Sequence, residues 1–308
     1  MKNYYRLMLG KKSVFAEQCL AGNFIGVDFG IAKDLTRDLP DEWRVFNKQF
    51  IPVYLTGHPN KSKISAGLAC GALWTVAKGM GKNDVVLCPD GTGVYRMGNI
   101  VGEYEYAAGQ ILPHRRPVQW LAQSFDRDVM SEALRNSTGS IGTVSDVSDY
   151  REEIERLIAR VPVASAIVPD PTVEDPAAFA LEKHLEDFLV ENWAQTDFGK
   201  DYDVFEEEGE KVGQQYQTDS GPIDVLAIGK DKKELLVLEL KKGRANDVVV
   251  GQLLRYMGYV HQELAEENQT VRGVIIALED DPKLRRALAM APNISFFRYQ
   301  INFKLVKV

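Results

Sequence analysis

The stretch QYQTDSGPIDVLAIGKDKKELLVLELKKGRANDVVVGQLLRYMGYV, residues 215–260, decides the fold of the second half of the chain. Two runs rich in Val, Leu and Ile, PIDVLAI and ELLVLEL, flank the polar segment GKDKK, the pattern of an antiparallel hairpin with a short Gly-containing loop. Charge falls where a buried strand should have none: Asp224 interrupts the first run, and Glu239 and Lys241 interrupt the second. Side chains alternate across a strand, so Glu239 and Lys241 share one face while Leu236, Leu238 and Leu240 share the other. With Asp224 turned the same way on the neighbouring strand, two carboxylates and an ammonium converge.

Burying such a group is costly unless the charges are paired or bind metal. Carboxylate oxygens suit Mg²⁺, which keeps several waters and takes further ligands from phosphate oxygens. Lys241 would then orient or deprotonate an attacking water, or stabilise charge on the phosphate. The plainer reading of an isolated D…ExK spacing is an exposed hairpin with a salt bridge at the strand edge.

The flanking residues favour the first reading. Pro222-Ile223-Asp224 and Glu239-Leu240-Lys241 resemble the PD-(D/E)xK nuclease signature. The longer run GPIDVLAIGKDKKELLVLELKKGRA…VGQLLRYMGYV looks like the nuclease domain of the NucS/EndoMS endonucleases, a resemblance covering Phe179 to Val308. Gln252 and Tyr256, four apart and on one face of the following helix, match the QxxxY element of RecB-like nucleases. An amphipathic helix packed on a sheet would place them the same way. The resemblance implies a restriction-endonuclease-like α/β domain, a mixed sheet flanked by helices. It also implies a metal site of Asp224 and Glu239 for Mg²⁺ or Mn²⁺, with Gln252 and Tyr256 beside it. In such families the helix before the first catalytic strand often supplies another acid. Here AFALEKHLEDFLVENW is that helix, with Phe179, Leu181, Leu185, Phe188 and Leu189 expected in the core. Glu182 is the preferred acid, with Glu186 one turn on as the alternative.

Composition bounds the rest. With 308 residues, 45% of them hydrophobic and 26% charged, the chain is an ordinary globular one long enough for two domains. No apolar run reaches a membrane span and the start MKNYYRLMLGKK carries no signal-peptide core, so a cytoplasmic protein is expected. Cys19, Cys70 and Cys88 lack metal-ligand spacing, as do the four histidines, which argues against a zinc enzyme. Residues 1–160 hold 20 basic and 18 acidic side chains, and residues 161–308 hold 17 and 26. The nuclease-like half is therefore the acidic one, and contact with DNA falls to local basic groups such as Lys242 and Arg244.

The first half reads as short strands and turns around a helix near residues 61–80. NYYRLML begins it as a strand, and AEQCLAGNFIGVDFGI follows as apolar alternation broken by glycines. From Phe15 to Leu121 it resembles the PUA-like, EVE-related domain attached to Mrr-type restriction endonucleases. The likeness is carried by Leu73-Trp74, Met80, NDVV at residues 83–86, GNIVGEYEY at 98–106 and HRRPVQW at 114–120. Asn83 stands where Gly is more usual in that pattern. The resemblance implies a mainly β, PUA-like barrel that reads nucleic acid, often by holding a base against aromatic rings. Trp43, Trp74, Tyr95, Tyr104, Tyr106 and Trp120 are the aromatic candidates, and Arg115 and Arg116 the phosphate contacts. Core packing is the competing role for the aromatics, and solvated surface for the arginines.

These readings divide the chain into a nucleic-acid-reading domain at 1–121, a helical bridge with a Pro-rich linker at 122–177, and a nuclease domain at 178–308. The expected protein is a metal-dependent DNA endonuclease, a homodimer without membrane contact. Its substrate would be base-modified DNA or an unusual DNA structure, as in restriction and phage defence. The alternatives are mismatch or branched-DNA repair, which the NucS/EndoMS likeness implies although the end FKLVKV shows no clamp-binding extension, and a non-catalytic nucleic-acid-binding protein with a relict nuclease fold.

Overall fold

The computed structural model describes residues 2–139, 142–159, 185–207, 211–218 and 220–300. The chain divides into two compact units, Met1–Val168 and Pro169–Val308.

In the first unit the strands are β1 (Tyr4–Leu7), β2 (Phe24–Val27), β3 (Val85–Pro89), β4 (Val94–Ile100), β5 (Glu105–Tyr106), β6 (His114–Asp126) and β7 (Val144–Asp146). They form one sheet in the order β2-β6-β4-β3-β1-β7, with β5 on β6. Its helices are α1 (Ala16–Gly22), α2 (Trp43–Gly57), α3 (Lys63–Trp74), α4 (Glu132–Thr138) and α5 (Arg151–Ala159). Two apolar clusters flank the sheet: Leu7, Ile25, Phe46, Leu73 and Val86 lie in one, and Tyr4, Leu87, Met97, Phe125 and Ile154 in the other. Alternation along β1 and β3 sends neighbouring residues to opposite clusters, as the period of two requires.

The structure departs from sequence expectation in two places here. Ala16–Gly22 is a helix, closed by Asn23 in the left-handed conformation with φ 55°. Asparagine tolerates that conformation and ends the helix where a glycine usually would. Residues 122–159, read as a helical bridge, belong to the first unit: β6 runs on to Asp126, and β7 pairs antiparallel with β1. α5, the last helix of this stretch, is tied to β1 by the Tyr4 hydroxyl, which donates to Glu155.

A fully buried histidine ties loop to sheet in this unit. The Leu35 amide donates to the Tyr104 hydroxyl at 3.2 Å, that hydroxyl meets His114 Nδ1 at 2.9 Å, and His114 Nε2 lies 2.8 Å from the Ile31 carbonyl. The chain is satisfied by a neutral ring that accepts at Nδ1 and donates at Nε2. Burial, the largest cause, lowers the His114 pKa below its ordinary 6.5, against the bond to Ile31 and the charges of Asp28 and Asp34. Below that value the unfolded chain takes a proton that the folded one refuses. Stability should therefore fall as pH drops below 6.5, by at most about 1.4 kcal/mol per pH unit for this group. Thermal unfolding from pH 7.5 to 5 should show this slope in the wild type and a shallower one in His114→Gln.

The second unit contains a helix at residues 185–191 (α6), α7 (Phe198–Asp201), β8 (Tyr202–Val204), β9 (Gln214–Thr218), β10 (Gly221–Gly229) and β11 (Glu234–Arg244). These are followed by α8 (Asp247–Tyr259), β12 (Thr270–Glu279), α9 (Pro282–Leu288) and β13 (Ile294–Arg298). The sheet order is β13-β12-β11-β10-β8, with β9 on β10. β10 and β11 are the expected antiparallel hairpin, while β11, β12 and β13 run parallel, giving a mixed sheet flanked by helices. Leu236, Leu238 and Leu240 pack with Val190, Trp193, Val225 and Ile276 on one face. Leu185 and Leu189 of α6 pack against that cluster, whereas Phe188, expected in the core, is 65% exposed.

α8 covers the opposite face. It starts at Asn246, whose side chain accepts from the Val248 amide at 3.0 Å, and it buries Val249, Val250, Leu253, Tyr256 and Met257. Each such apolar side chain contributes about 1.5–3 kcal/mol on burial. α8 approaches β12 closely because Gly273 lacks a side chain: a Cβ there would lie 2.6 Å from Met257 Sδ and 2.8 Å from Leu253 Cδ2. Gly273→Ala should destabilise the protein by about 1–3 kcal/mol through this overpacking, as urea denaturation would measure. Among the described residues, no helix is long and apolar enough to cross a membrane.

Candidate active site

The acids stand where the hairpin ladder opens. Paired residues run from Ile228 and Leu235 to Val225 and Leu238, and one step further this register sets Asp224 opposite Glu239. There the Asp224 side chain, not a strand carbonyl, takes the next amide: Leu240 N–H donates to Asp224 Oδ2 at 2.7 Å. Glu239 is 2% exposed, and Lys241 Nζ lies 2.9 Å from Glu239 Oε1. Lys241 reaches Glu239 because residues two apart on a strand share a face. After Lys241 the register with β12 slips before Arg244, a bulge that carries Lys242 and Gly243.

Side chains from two helices join this end of the hairpin. On α8, Gln252 Nε2 donates to the Tyr256 hydroxyl at 3.1 Å. That hydroxyl is 3.2 Å from where a Cβ on Gly221 would stand, so the start of β10 is trimmed to admit it. On α6, Glu186 is 3% exposed and accepts from both Gln214 and Gln215 of β9. Gln215 also donates to Asp224 Oδ1 at 3.3 Å. Glu182, the acid preferred from sequence, lies outside the described residues. Gln214 and Gln215 were missed by sequence reasoning. The signal available was their place just before a strand carrying Asp224, which makes them cross-strand neighbours of the acid.

The electrostatics are those of crowded acids. Burial raises the Asp224 carboxyl well above the usual carboxylate range, and the charges of Glu239 and Glu186 push it further, against the Leu240 amide and Lys241. Burial raises the Tyr256 hydroxyl as well; the Gln252 bond opposes that, and Glu239 and Asp224 add to it. Among the described residues, no three His, Cys, Asp or Glu side chains are grouped so as to hold a metal ion by themselves. The fit is instead to a cation held by two carboxylates: Asp224 and Glu239 offer hard oxygen donors, and their mutual repulsion is relieved by a positive charge between them. One or two carboxylates, with waters and phosphate oxygens, is the usual Mg²⁺ environment.

The residues proposed as nucleic-acid contacts fare differently. Lys242 is half-buried and Arg244 exposed, beside the acids on β11. Arg244 Nε donates to the Asp280 carbonyl at 3.3 Å. In the first unit Arg116 is 2% exposed, with no surface to offer a phosphate. Its guanidinium donates to the carbonyls of Gly102 at 3.0 Å, Met80 at 2.6 Å, and Val76 and Ala77 at 3.4 Å. Three of these lie on or next to the widened π turn, Thr75–Gly79, that ends α3, whose carbonyls need a donor. Arg115 stacks its guanidinium 3.9 Å over the Phe24 ring and donates to the Leu112 and Ile111 carbonyls. Trp74 packs on the core and donates to the Pro40 carbonyl at 2.9 Å, and Tyr104 is engaged with His114. Trp43 is half-buried at the start of α2.

Comparison with known proteins separates the two units. Residues 190–301 match the Endonuclease NucS C-terminal domain, and residues 5–148 match a domain of unknown function, DUF8426. Endonuclease NucS of Methanocaldococcus jannaschii is 37% identical over 76 residues, 24% of this chain and 27% of that protein. Endonuclease NucS of Sulfolobus acidocaldarius is 34% identical over 97 residues, 31% of this chain and 33% of that protein. The alignments thus span about a quarter to a third of the length of these curated relatives. A solved EndoMS complex with double-stranded DNA shares 15% identity at a TM-score of 0.33, over 70% of this chain and 68% of that one. Within the second unit, residues 190–301 are thus similar to the C-terminal domain of Endonuclease NucS.

Proposed function

We propose that the protein is a divalent-metal-dependent DNA endonuclease whose chemistry resides on β10 and β11. The observation that carries this reading is Asp224 facing Glu239 at the open end of the hairpin ladder, with Lys241 held on Glu239. The match of residues 190–301 to the NucS C-terminal domain supports it.

Asp224 and Glu239 would hold Mg²⁺ or Mn²⁺. When bound, that ion neutralises charge growing on the phosphate oxygens during in-line hydrolysis. Leu240 N–H keeps the Asp224 carboxylate turned toward Glu239. Lys241, anchored on Glu239 and one-third exposed, donates to the attacking water or to a phosphate oxygen. Gln252 orients the Tyr256 hydroxyl, which closes one side of the site. Lys242 and Arg244 extend positive charge along the strand for the DNA backbone.

The first unit would select the substrate. Arg116, Arg115, Trp74 and Tyr104 are engaged in internal contacts, so base reading would fall to the remaining candidates, half-buried Trp43 among them. The likeness to the NucS endonucleases implies mismatched or branched DNA as the substrate, so the repair-type role is preferred to restriction. A cytoplasmic homodimer completes the reading.

The test compares Mg²⁺-dependent cleavage of unmodified, cytosine-modified, mismatched and branched duplexes by wild type and Lys241→Ala. Mismatched or branched DNA should be cut fastest, and Lys241→Ala should be slower by about a hundredfold or more. Cleavage of none of the four, or equal cleavage by the variant, would sink the mechanism. Preference for the cytosine-modified duplex would restore the restriction role.

A further inference from the structure

Two glutamine amides join the acids of the second unit. Gln214 Nε2 donates to Glu186 Oε1 and to Asp187 Oδ1, each at 2.7 Å. Gln215 Nε2 donates to the other Glu186 oxygen, Oε2, and to Asp224 Oδ1 at 3.3 Å. The pairing of Ile223 with Tyr216 and of Val225 with Gln214 sets Gln215 across from Asp224. Gln215 holds this place with φ 52°, the left-handed region that side chains other than glycine and asparagine seldom adopt. A single amide nitrogen thus touches an acid from α6 and an acid from β10.

We propose that Gln215 is a positioning residue of the cation site: its amide ties the Glu186 carboxylate to Asp224 and makes Glu186 part of the charge that holds the ion. The proposal rests on the reading of Asp224 and Glu239 as the cation-holding pair. An amide suits this task better than a lysine would. It carries two N–H donors and can bridge two carboxylates, yet it brings no net charge and so leaves their full negative charge to attract the ion. Without the bridge, like charges on Glu186 and Asp224 repel with no donor shared between them. Gln214, bonded to the other Glu186 oxygen and to Asp187, fixes the carboxylate from its second side.

The test is Ca²⁺ binding, a readout that needs no turnover, measured by calorimetry on the full chain. The variants are Gln215→Ala, Glu186→Gln, their double variant and Asp224→Ala. Gln215→Ala and Glu186→Gln should each weaken Ca²⁺ binding by about tenfold, the scale of lost outer partners of metal ligands. The double variant should bind no more weakly than the weaker single one, because Gln215 acts through Glu186. Gln215→Ala within about twofold of wild type would overturn the proposal, as would losses that multiply in the double variant. Asp224→Ala separates the levels. If it binds Ca²⁺ like wild type, the cation site itself is wrong and the role of Gln215 falls with it. If it loses binding while Gln215→Ala keeps it, only the role of Gln215 is refuted. Gln215→Gly, which accepts φ 52° without strain, carries the same expectation and replaces the alanine variant if circular dichroism shows that variant unfolded.

Discussion

Asp224→Asn should lower DNA cleavage by about a thousandfold or more, a loss of about 4 kcal/mol of transition-state stabilisation. The same change should leave the metal-free protein at least as stable as wild type. The two halves of this expectation have one cause. Asn keeps an oxygen for the Leu240 amide, so the backbone contact at 2.7 Å has an acceptor, and only the long 3.3 Å bond from Gln215 is given up. It removes a carboxylate whose ionisation is opposed by burial and by Glu239 and Glu186. A carboxyl with a raised folded pKa takes up its proton more readily in the folded chain, so its ionisation works against the fold as pH rises through the ordinary carboxylate range. Neutralising it trades function for stability. Cleavage rates, together with thermal unfolding in the presence of a chelator, check both. A variant that still cuts, or one that melts earlier, contradicts the account.

Arg116→Met should destabilise the first unit by about 3 kcal/mol or more, since each buried carbonyl left without a donor costs about 1–3 kcal/mol. For a unit of this size the melting temperature would fall by roughly 6–12 °C. Methionine fills similar space, so the loss reports the hydrogen bonds to Gly102, Val76, Ala77 and Met80 more than a cavity. Were Arg116 instead a phosphate contact, the variant would melt like wild type and bind DNA more weakly. Thermal unfolding and fluorescence-anisotropy titration with duplex DNA distinguish the two.

The second unit was legible because its signals are local. Alternation in PIDVLAI and ELLVLEL sets the hairpin, and the same alternation places Glu239 and Lys241 together and Leu236, Leu238 and Leu240 apart from them. Spacing of four put Gln252 beside Tyr256. What stayed hidden was which helical acid turns toward the strand and that Gln215 bridges to it. Both depend on contacts between elements, and a glutamine in a polar stretch has no periodic signature. The first unit was less legible. Residues 16–22 form a helix ended by Asn23, a stop easily passed over among nearby glycines. Arg116 illustrates the wider difficulty: on sequence an Arg-Arg pair beside aromatics looks like a phosphate contact. Alternation on β6 turns one arginine outward over Phe24 and the other inward to the end of α3, and sequence gives no sign of which carbonyls await it.

The bond from Leu240 to Asp224 has a spectroscopic consequence. A main-chain amide normally reports on secondary structure, but this one ends on the side chain proposed to hold the ion. Its proton resonance should move when Asp224 engages an ion or gains a proton, while the neighbouring amides of β11, bonded within the sheet, hold still. The strand thereby carries a built-in probe at the proposed cation site, readable by nuclear magnetic resonance without any label on the DNA.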